Sequence, residues 1–213
     1  MEYKIEDIEN KMIKEKKGMK NSDKIILDLC GGTGAWSKPY KDAGYDVRNI
    51  TLPDYDVRLF QESDFRKLKI YGILAAPPCQ HFAGSGAMWW KGKGTDKLLE
   101  GLSVVDACLR IIWWANPKFW VLENPIGRLV HYLGKPKMYF NPCDYGDPYT
   151  KKTCLWGNFN KPKKNPVEPK FIIGKRDGKK YSPIHYAVRT PDRAEIRSIT
   201  PAGFAKAFFK ANQ

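Results

Sequence analysis

The stretch Ile25-Ile26-Leu27-Asp28-Leu29-Cys30-Gly31-Gly32-Thr33-Gly34 runs a short apolar strand directly into a glycine turn. Such a junction lets the chain reverse sharply and bring backbone amides close to a ligand. Trp36 to Ala43 then has the length of a short helix, and Tyr45 to Leu52 the character of a second strand, so the rhythm is βαβ. A Gly-Gly-x-Gly turn by itself is shared by nucleotide sites and ordinary loops. The P-loop reading fails, because no Gly-Lys-Ser/Thr follows.

Working outward, the pattern predicts a strand at Ile70 to Ala75, a helix from about Lys97 to Ala115, a strand at Phe119 to Leu122 and a late strand at Cys154 to Gly157. Leu98, Leu102, Val105, Leu109, Ile112 and Trp113 recur at three- and four-residue steps, giving that helix one apolar face, and Asn116-Pro117 ends it. The expected fold class is therefore α/β, with a doubly wound, mostly parallel sheet over residues 24–158. Residues 1–23 read as an N-terminal extension in which Ile5, Ile8 and Met12 sit at helical spacing, either a weakly amphipathic helix or a solvated arm. Residues 159–196 are rich in lysine, proline and glycine and form a small, basic, loop-rich lobe. Residues 197–213 close the chain with a helix, Thr200 at its N-cap and Pro201 in its first turn, whose Phe204, Ala207 and Phe208 return to the main core.

A chain of 213 residues buries one sizeable core. The five cysteines, Cys30, Cys79, Cys108, Cys143 and Cys154, include no C-x-x-C pair, so neither a disulfide framework nor a zinc site is expected, and no metal. No apolar run approaches a membrane span and the first residues carry no secretory core, so a soluble, cytoplasmic monomer with no membrane partner is expected. The formal charge of +14 and pI near 9.5 favour a polyanion, nucleic acid first among them.

The chemistry lies at three strand ends. Ala76-Pro77-Pro78-Cys79-Gln80 follows the third strand and displays a thiol on a mount stiffened by two prolines. Glu123-Asn124-Pro125 follows the fourth, where burial would raise the pKa of Glu123 and keep a proton available near neutrality. A free thiol is intrinsically nucleophilic and is activated by its surroundings.

In order and spacing, the glycine turn, the Pro-Pro-Cys-Gln loop and the Glu-Asn loop resemble the DNA cytosine-5 methyltransferase family, here in a small, phage-like form with a reduced target-recognition lobe. The resemblance implies the Rossmann-like fold of S-adenosylmethionine-dependent methyltransferases, S-adenosyl-L-methionine as cofactor and double-stranded DNA as partner. It implies that Cys79 attacks the base, that Glu123 serves ring nitrogen 3, and that Lys151, standing where the family has the first of two arginines, reaches the base, with Thr153 in the second position. For the cofactor it implies Asp28, Cys30, Gly31, Gly32, Gly34 and Pro77, with Asp54 as the nearest substitute for a ribose-binding acid and Asp56 at the adenine. For DNA it implies Gln80 and Ser85 in the nucleophile loop and Lys163, Lys164, Lys175, Arg176, Lys179 and Lys180 in the basic lobe. The chain departs from the family pattern at Cys30, where an aromatic is usual, at Leu52-Pro53, where the ribose acid belongs, and at Pro125, where valine is usual. Arg197-Ser198-Ile199-Thr200-Pro201 resembles the family's late Arg-x-Leu-Thr segment, while its closing Gln-x-Gly-Asn helix is not visible.

Two other readings compete: the same thiol chemistry on an RNA cytosine, and a catalytically inactive nucleic-acid-binding relative. An enzyme of this kind must rotate its cytosine out of the stack at a cost of about a few kcal/mol. The small residues of Gln80 to Gly86 allow that loop to close over the base, and Trp89 and Trp90 are candidates for wedging or for plain packing. A lobe as small as 159–196 places only a few base contacts, each contributing roughly 1–3 kcal/mol of discrimination. The expected target is therefore very short or loosely specified. Bisulfite sequencing of treated DNA should show methylation spread over many contexts, and a long, strictly required site would contradict this.

Overall fold

A computed structural model describes residues 19–186 and 193–213; the helix expected among the first twenty residues falls, but for its last two, outside that range. Strands β1 (Ile25–Leu29), β2 (Asp46–Ile50) and β3 (Ile70–Ala75) frame the short helix α1 (Lys38–Asp42). Helix α2 (Trp90–Ala115), strand β4 (Phe119–Pro125) and helix α3 (Val130–Leu133) follow, then the short β5 (Met138–Phe140) and β6 (Thr153–Asn158). The sheet order is β2-β1-β3-β4-β6-β5, the first four strands parallel, with β6 antiparallel to both β4 and β5. Chain order reverses between β1 and β3, and their carboxyl ends open the crevice where open α/β sheets bind ligands.

Parallel strands covered on both faces need apolar residues pointing both ways, which is why β1 and β3 read as continuous runs. Leu27, Ile73 and Leu122 face α2, where Val105, Cys108 and Ile111 are buried against them. Their neighbours Ile26, Leu74 and Val121 face an aromatic layer of Trp36, Tyr40, Phe119, Phe204 and Phe208. Phe204 stacks on Phe140 with ring centroids 3.9 Å apart, and Phe208 meets Trp36 at 5.7 Å.

The lobe after β6 contains a two-stranded hairpin, β7 (Ile172–Ile173) with β8 (Lys180–Tyr181), then α4 (Pro183–Tyr186) and α5 (Arg193–Ser198). The boundary expected at 196/197 falls inside α5. The last helix, α6 (Ala202–Ala211), takes Pro201 rather than Thr200 as its N-cap, and no cap side chain bonds its first turn. Instead Asp147 Oδ2 accepts from the Gly203 N–H at 2.9 Å, a cap supplied from a distant turn.

Three further expectations change. Helix α2 begins at Trp90 instead of Lys97 and kinks at Gly94 (φ 70°), which has the left-handed backbone that glycine tolerates. Trp113 is 84% exposed: its spacing fits the apolar stripe, yet it lies beyond the edge of the buried face. Strand β4 continues through Glu123-Asn124-Pro125 because β6 pairs with it as far as Pro125↔Thr153. Among the described residues no helix is long and apolar enough to cross a membrane.

Replacing Phe208, fully buried between Trp36 and Phe159, by alanine should cost about 3–5 kcal/mol in urea unfolding. A loss below about 1 kcal/mol would show that the aromatic layer does not hold α6 to the sheet.

Candidate active site

The turn after β1 is held in a left-handed conformation at Cys30 (φ 56°), Gly32 (φ 53°) and Gly34 (φ 71°). Cys30 N–H donates to Ile50 O at 2.7 Å, Gly32 N–H donates to Thr51 Oγ1 at 3.3 Å, and Asn49 Nδ2 donates to Gly32 O at 2.9 Å. The end of β2 thus anchors the turn. A side chain at Gly31 would collide with the Asp28 carboxyl and the Asn49 amide, so the backbone passes directly over both.

Asp28 is completely buried. Its Oδ2 accepts from Ser37 Oγ at 2.5 Å, and its Oδ1 has no partner among the described residues. Burial pushes its pKa up to about 6, against the pull of the Ser37 hydrogen bonds. An orphaned, partly ionised carboxylate oxygen beneath a turn rich in amides fits a ligand carrying an ammonium group, as the methionine part of S-adenosylmethionine does.

The thiol sits on the neighbouring strand end. Ala76 N–H donates to Leu29 O at 2.9 Å, fixing the Pro-Pro segment beside β1. The buried Asn124 donates from Nδ2 to Pro77 O at 2.9 Å, fixing it to β4 as well. The Cys79 carbonyl accepts from Phe82 and Ala83 N–H, each at 2.9 Å, so half-buried Cys79 heads a tight turn over the fully buried Phe82. That turn is fixed in place: Gly84 N–H donates to Ile126 O at 2.8 Å, and Arg128 donates from Nε to His81 O at 2.7 Å.

One cavity of about 90 Å³ is lined by Asp28, Cys30, Gly31, Gly32, Pro77, Cys79, Glu123 and Lys151 among the residues nominated from the sequence. Burial raises the Glu123 carboxyl above its ordinary value, with Lys151 pulling the other way. Burial also raises the Cys79 thiol, Glu123 adds to that, and Lys151 and Arg197 oppose it. Burial thus disfavours the charged form of both the thiol and the carboxyl, and Lys151 opposes that for both. Lys151 is itself oriented by Nζ donating to Arg197 O at 2.8 Å.

Other nominated residues lie apart from this cavity. Asp54 is exposed on the loop after β2. Asp56 caps the next turn and holds Arg58 at 2.6 Å, a pairing that keeps its carboxyl below the usual range. Gly34 belongs to the turn without lining the cavity, and the Thr153 hydroxyl is turned to Lys151 O at 2.9 Å. Gln80 and Ser85 are exposed on the segment after Cys79, with Trp89 62% exposed and Trp90 beneath the Arg128 guanidinium at 4.7 Å. Lys175, Arg176, Lys179 and Lys180 are exposed on the β7–β8 hairpin; Lys163 and Lys164 flank α6 instead, and Lys164 pairs with Asp144 at 3.1 Å.

Sequence reasoning missed Ser37, Asn49 and Thr51 under the turn, Arg128 behind the thiol loop, and Arg197 to Thr200 as cavity wall. Only the last carried a signal, the resemblance of its Arg-x-x-Thr pattern. Among the described residues no group of three His, Cys, Asp or Glu could hold a metal.

The family model for C-5 cytosine-specific DNA methylase matches residues 36–137. The chain is 30% identical over 147 residues to the "Probable DNA (cytosine-5)-methyltransferase" of Frog virus 3, covering 62% of this chain and 69% of that protein. It is 23% identical over 171 residues to "Type II methyltransferase M.DdeI" of Desulfomicrobium norvegicum, covering 62% of this chain and 39% of that one. Among solved structures, a candidate DNA modification methyltransferase encoded within a prophage (E. coli) aligns with a TM-score of 0.42 at 19% identity, over 63% of this chain and 46% of that one.

The raised Asp28 pKa has a sign. A carboxyl that is harder to ionise in the fold contributes stability fully below its ordinary value of 3.8, and that contribution is lost as pH rises through about 6. Urea unfolding should lose on the order of 2–3 kcal/mol across that window in the wild type, and Asp28→Asn should flatten the decline. Identical pH profiles would show that Asp28 is not buried in this state.

Proposed function

The chain belongs to the C-5 cytosine-specific DNA methylase family, and from that premise we propose that it methylates carbon 5 of cytosine in double-stranded DNA through a covalent Cys79 adduct. Methylation of cytosine in DNA is the family's reaction. The observation that carries the finer reading is the single cavity in which the glycine turn, Cys79, Glu123 and Lys151 meet.

Carbon 5 of cytosine is a weak nucleophile until a bond forms at carbon 6. Cys79 supplies it: as Sγ bonds carbon 6, electron density moves toward ring nitrogen 3, where the protonated Glu123 carboxyl donates a hydrogen bond or its proton. Burial raises the Glu123 carboxyl above its ordinary value, which favours the protonated form that this step uses. Lys151 and Arg197 favour the thiolate that attack requires. S-adenosylmethionine, when bound, supplies the methyl group; Asp28, the Gly31-Gly32 turn and Pro77 are the residues that would hold it. The carbon 5 proton is then lost to solvent and any proton taken up at ring nitrogen 3 returns to the Glu123 carboxylate, so the carbon 5–carbon 6 double bond re-forms as the Sγ–carbon 6 bond breaks, returning the thiolate. Asn124 takes no part in the transfer. It positions Cys79 relative to Glu123 through the Pro77 carbonyl.

The basic lobe and the formal charge of +14 support DNA as substrate, since phosphate contacts supply most of the non-specific affinity. Incubated with cofactor and a duplex carrying 5-fluorocytosine, which has no removable proton at carbon 5, the protein should become crosslinked through Cys79. Cys79→Ser should abolish both the crosslink and methyl incorporation. A crosslink at another residue, or methyl transfer surviving in the serine variant, would contradict the mechanism.

A further inference from the structure

A second groove lies along the outer side of α6, lined by Tyr145, Lys161, Lys163, Lys206 and Lys210 together with the ion-paired Lys164. Two separate constraints bring these lysines together. At one end Asn212, 5% exposed, clasps Asn160: Asn160 N–H donates to Asn212 Oδ1 at 2.8 Å and Asn212 Nδ2 donates back to Asn160 O at 3.0 Å. At the other end Gly203 passes so close to the Tyr145 carbonyl that a Cβ there would overlap it, and Asp147 holds the Gly203 N–H. Asn165 and Val167 N–H groups strap the lysine segment onto the 142–145 turn by donating to Asp144 O and Cys143 O, both at 2.9 Å.

The fold therefore juxtaposes cations that repel one another. Asp144 answers only Lys164, at 3.1 Å; among the described residues no carboxylate lies within 4.0 Å of Lys161, Lys163, Lys206 or Lys210. Tyr145 also lines the groove, and its buried hydroxyl is without a hydrogen-bond partner among the described residues. Burial pushes that hydroxyl up to about 12, so it stays a donor. Four ammonium groups without a carboxylate partner make a surface rich in donors and short of acceptors.

We propose that the α6 groove is a track for the phosphodiester backbone of duplex DNA, with Lys161, Lys163, Lys206 and Lys210 as its phosphate contacts. It rests on the DNA reading above and extends it, because Lys161, Lys206 and Lys210 lie outside the basic hairpin. Helix α6 starts just after Thr200, in the wall of the catalytic cavity, and its ten residues extend roughly 15 Å from there. Phosphates on the track would therefore belong to DNA flanking the extruded base and would add affinity without sequence preference.

Binding of fluorescein-labelled duplex across a salt series tests this with the full chain. Each neutralised phosphate contributes about 0.9 to the slope of log affinity against log salt, so Lys206→Gln/Lys210→Gln should lower the slope by roughly 2 and weaken binding at low salt by at least tenfold. Both lysines are exposed, so the fold should survive, and an unchanged urea midpoint verifies that. Lys67→Gln/Lys69→Gln, which removes the same charge beside the start of β3, should leave the slope at its wild-type value. An unchanged slope in the Lys206/Lys210 variant, or an equal drop in the Lys67/Lys69 variant, would overturn the track. So would saturable displacement of DNA by inorganic phosphate at constant ionic strength that disappears in the Lys206/Lys210 variant, since that would mark a small-anion site. Methyl incorporation is scored separately: wild type that methylates DNA while the slopes coincide sinks the track alone, and wild type that never methylates DNA sinks the reading beneath it.

Discussion

The hydrogen bond from Asn124 Nδ2 to Pro77 O is the joint on which the site depends. Parallel strands end in loops that are free to diverge, and two prolines deprive the thiol loop of the N–H groups that would tie it to the sheet. A buried amide on the neighbouring strand compensates by gripping a proline carbonyl. That grip ties the thiol loop to β4, the strand that carries Glu123. Both residues line one cavity, and Glu123 raises the Cys79 thiol.

Burial raises the thiol and the carboxyl together. In the proposed reaction this pair suits attack followed by proton donation, because there the carboxyl holds its proton until electron density arrives. Lys151 and Arg197 provide the compensating charge, and they come from β6's approach and from the segment before α6. The segment from Arg197 to Phe208 is thus part of the cavity wall as well as of the aromatic core.

What the sequence made legible follows from physical scale. Strands β1 and β3 are covered on both faces, so their continuous apolar runs stood out, and the glycine turn and Pro-Pro-Cys loop are local signals. Strand β5, three residues at the sheet edge, has no such run, and the extension of β4 through Glu123 exists only because β6 pairs with it. Trp113 was misplaced because helical periodicity marks a stripe without telling which side of its edge meets solvent. Asn49 and Thr51 serve the turn from across a strand pair, and nothing in their own neighbourhood announces that role. Asp56 sits at the expected spacing, but its nearest cation, two residues on, holds it in a turn.

The account stands on Cys79, Glu123 and Lys151 forming one electrostatic unit. Alkylation of Cys79 by iodoacetamide, followed across pH, reads that unit directly without cofactor or DNA. Its midpoint in the wild type should lie above the ordinary thiol value of 9.0, move down in Glu123→Gln and move up in Lys151→Gln. Coincident profiles for all three proteins would mean that the strand ends do not share a crevice, and the account would fail.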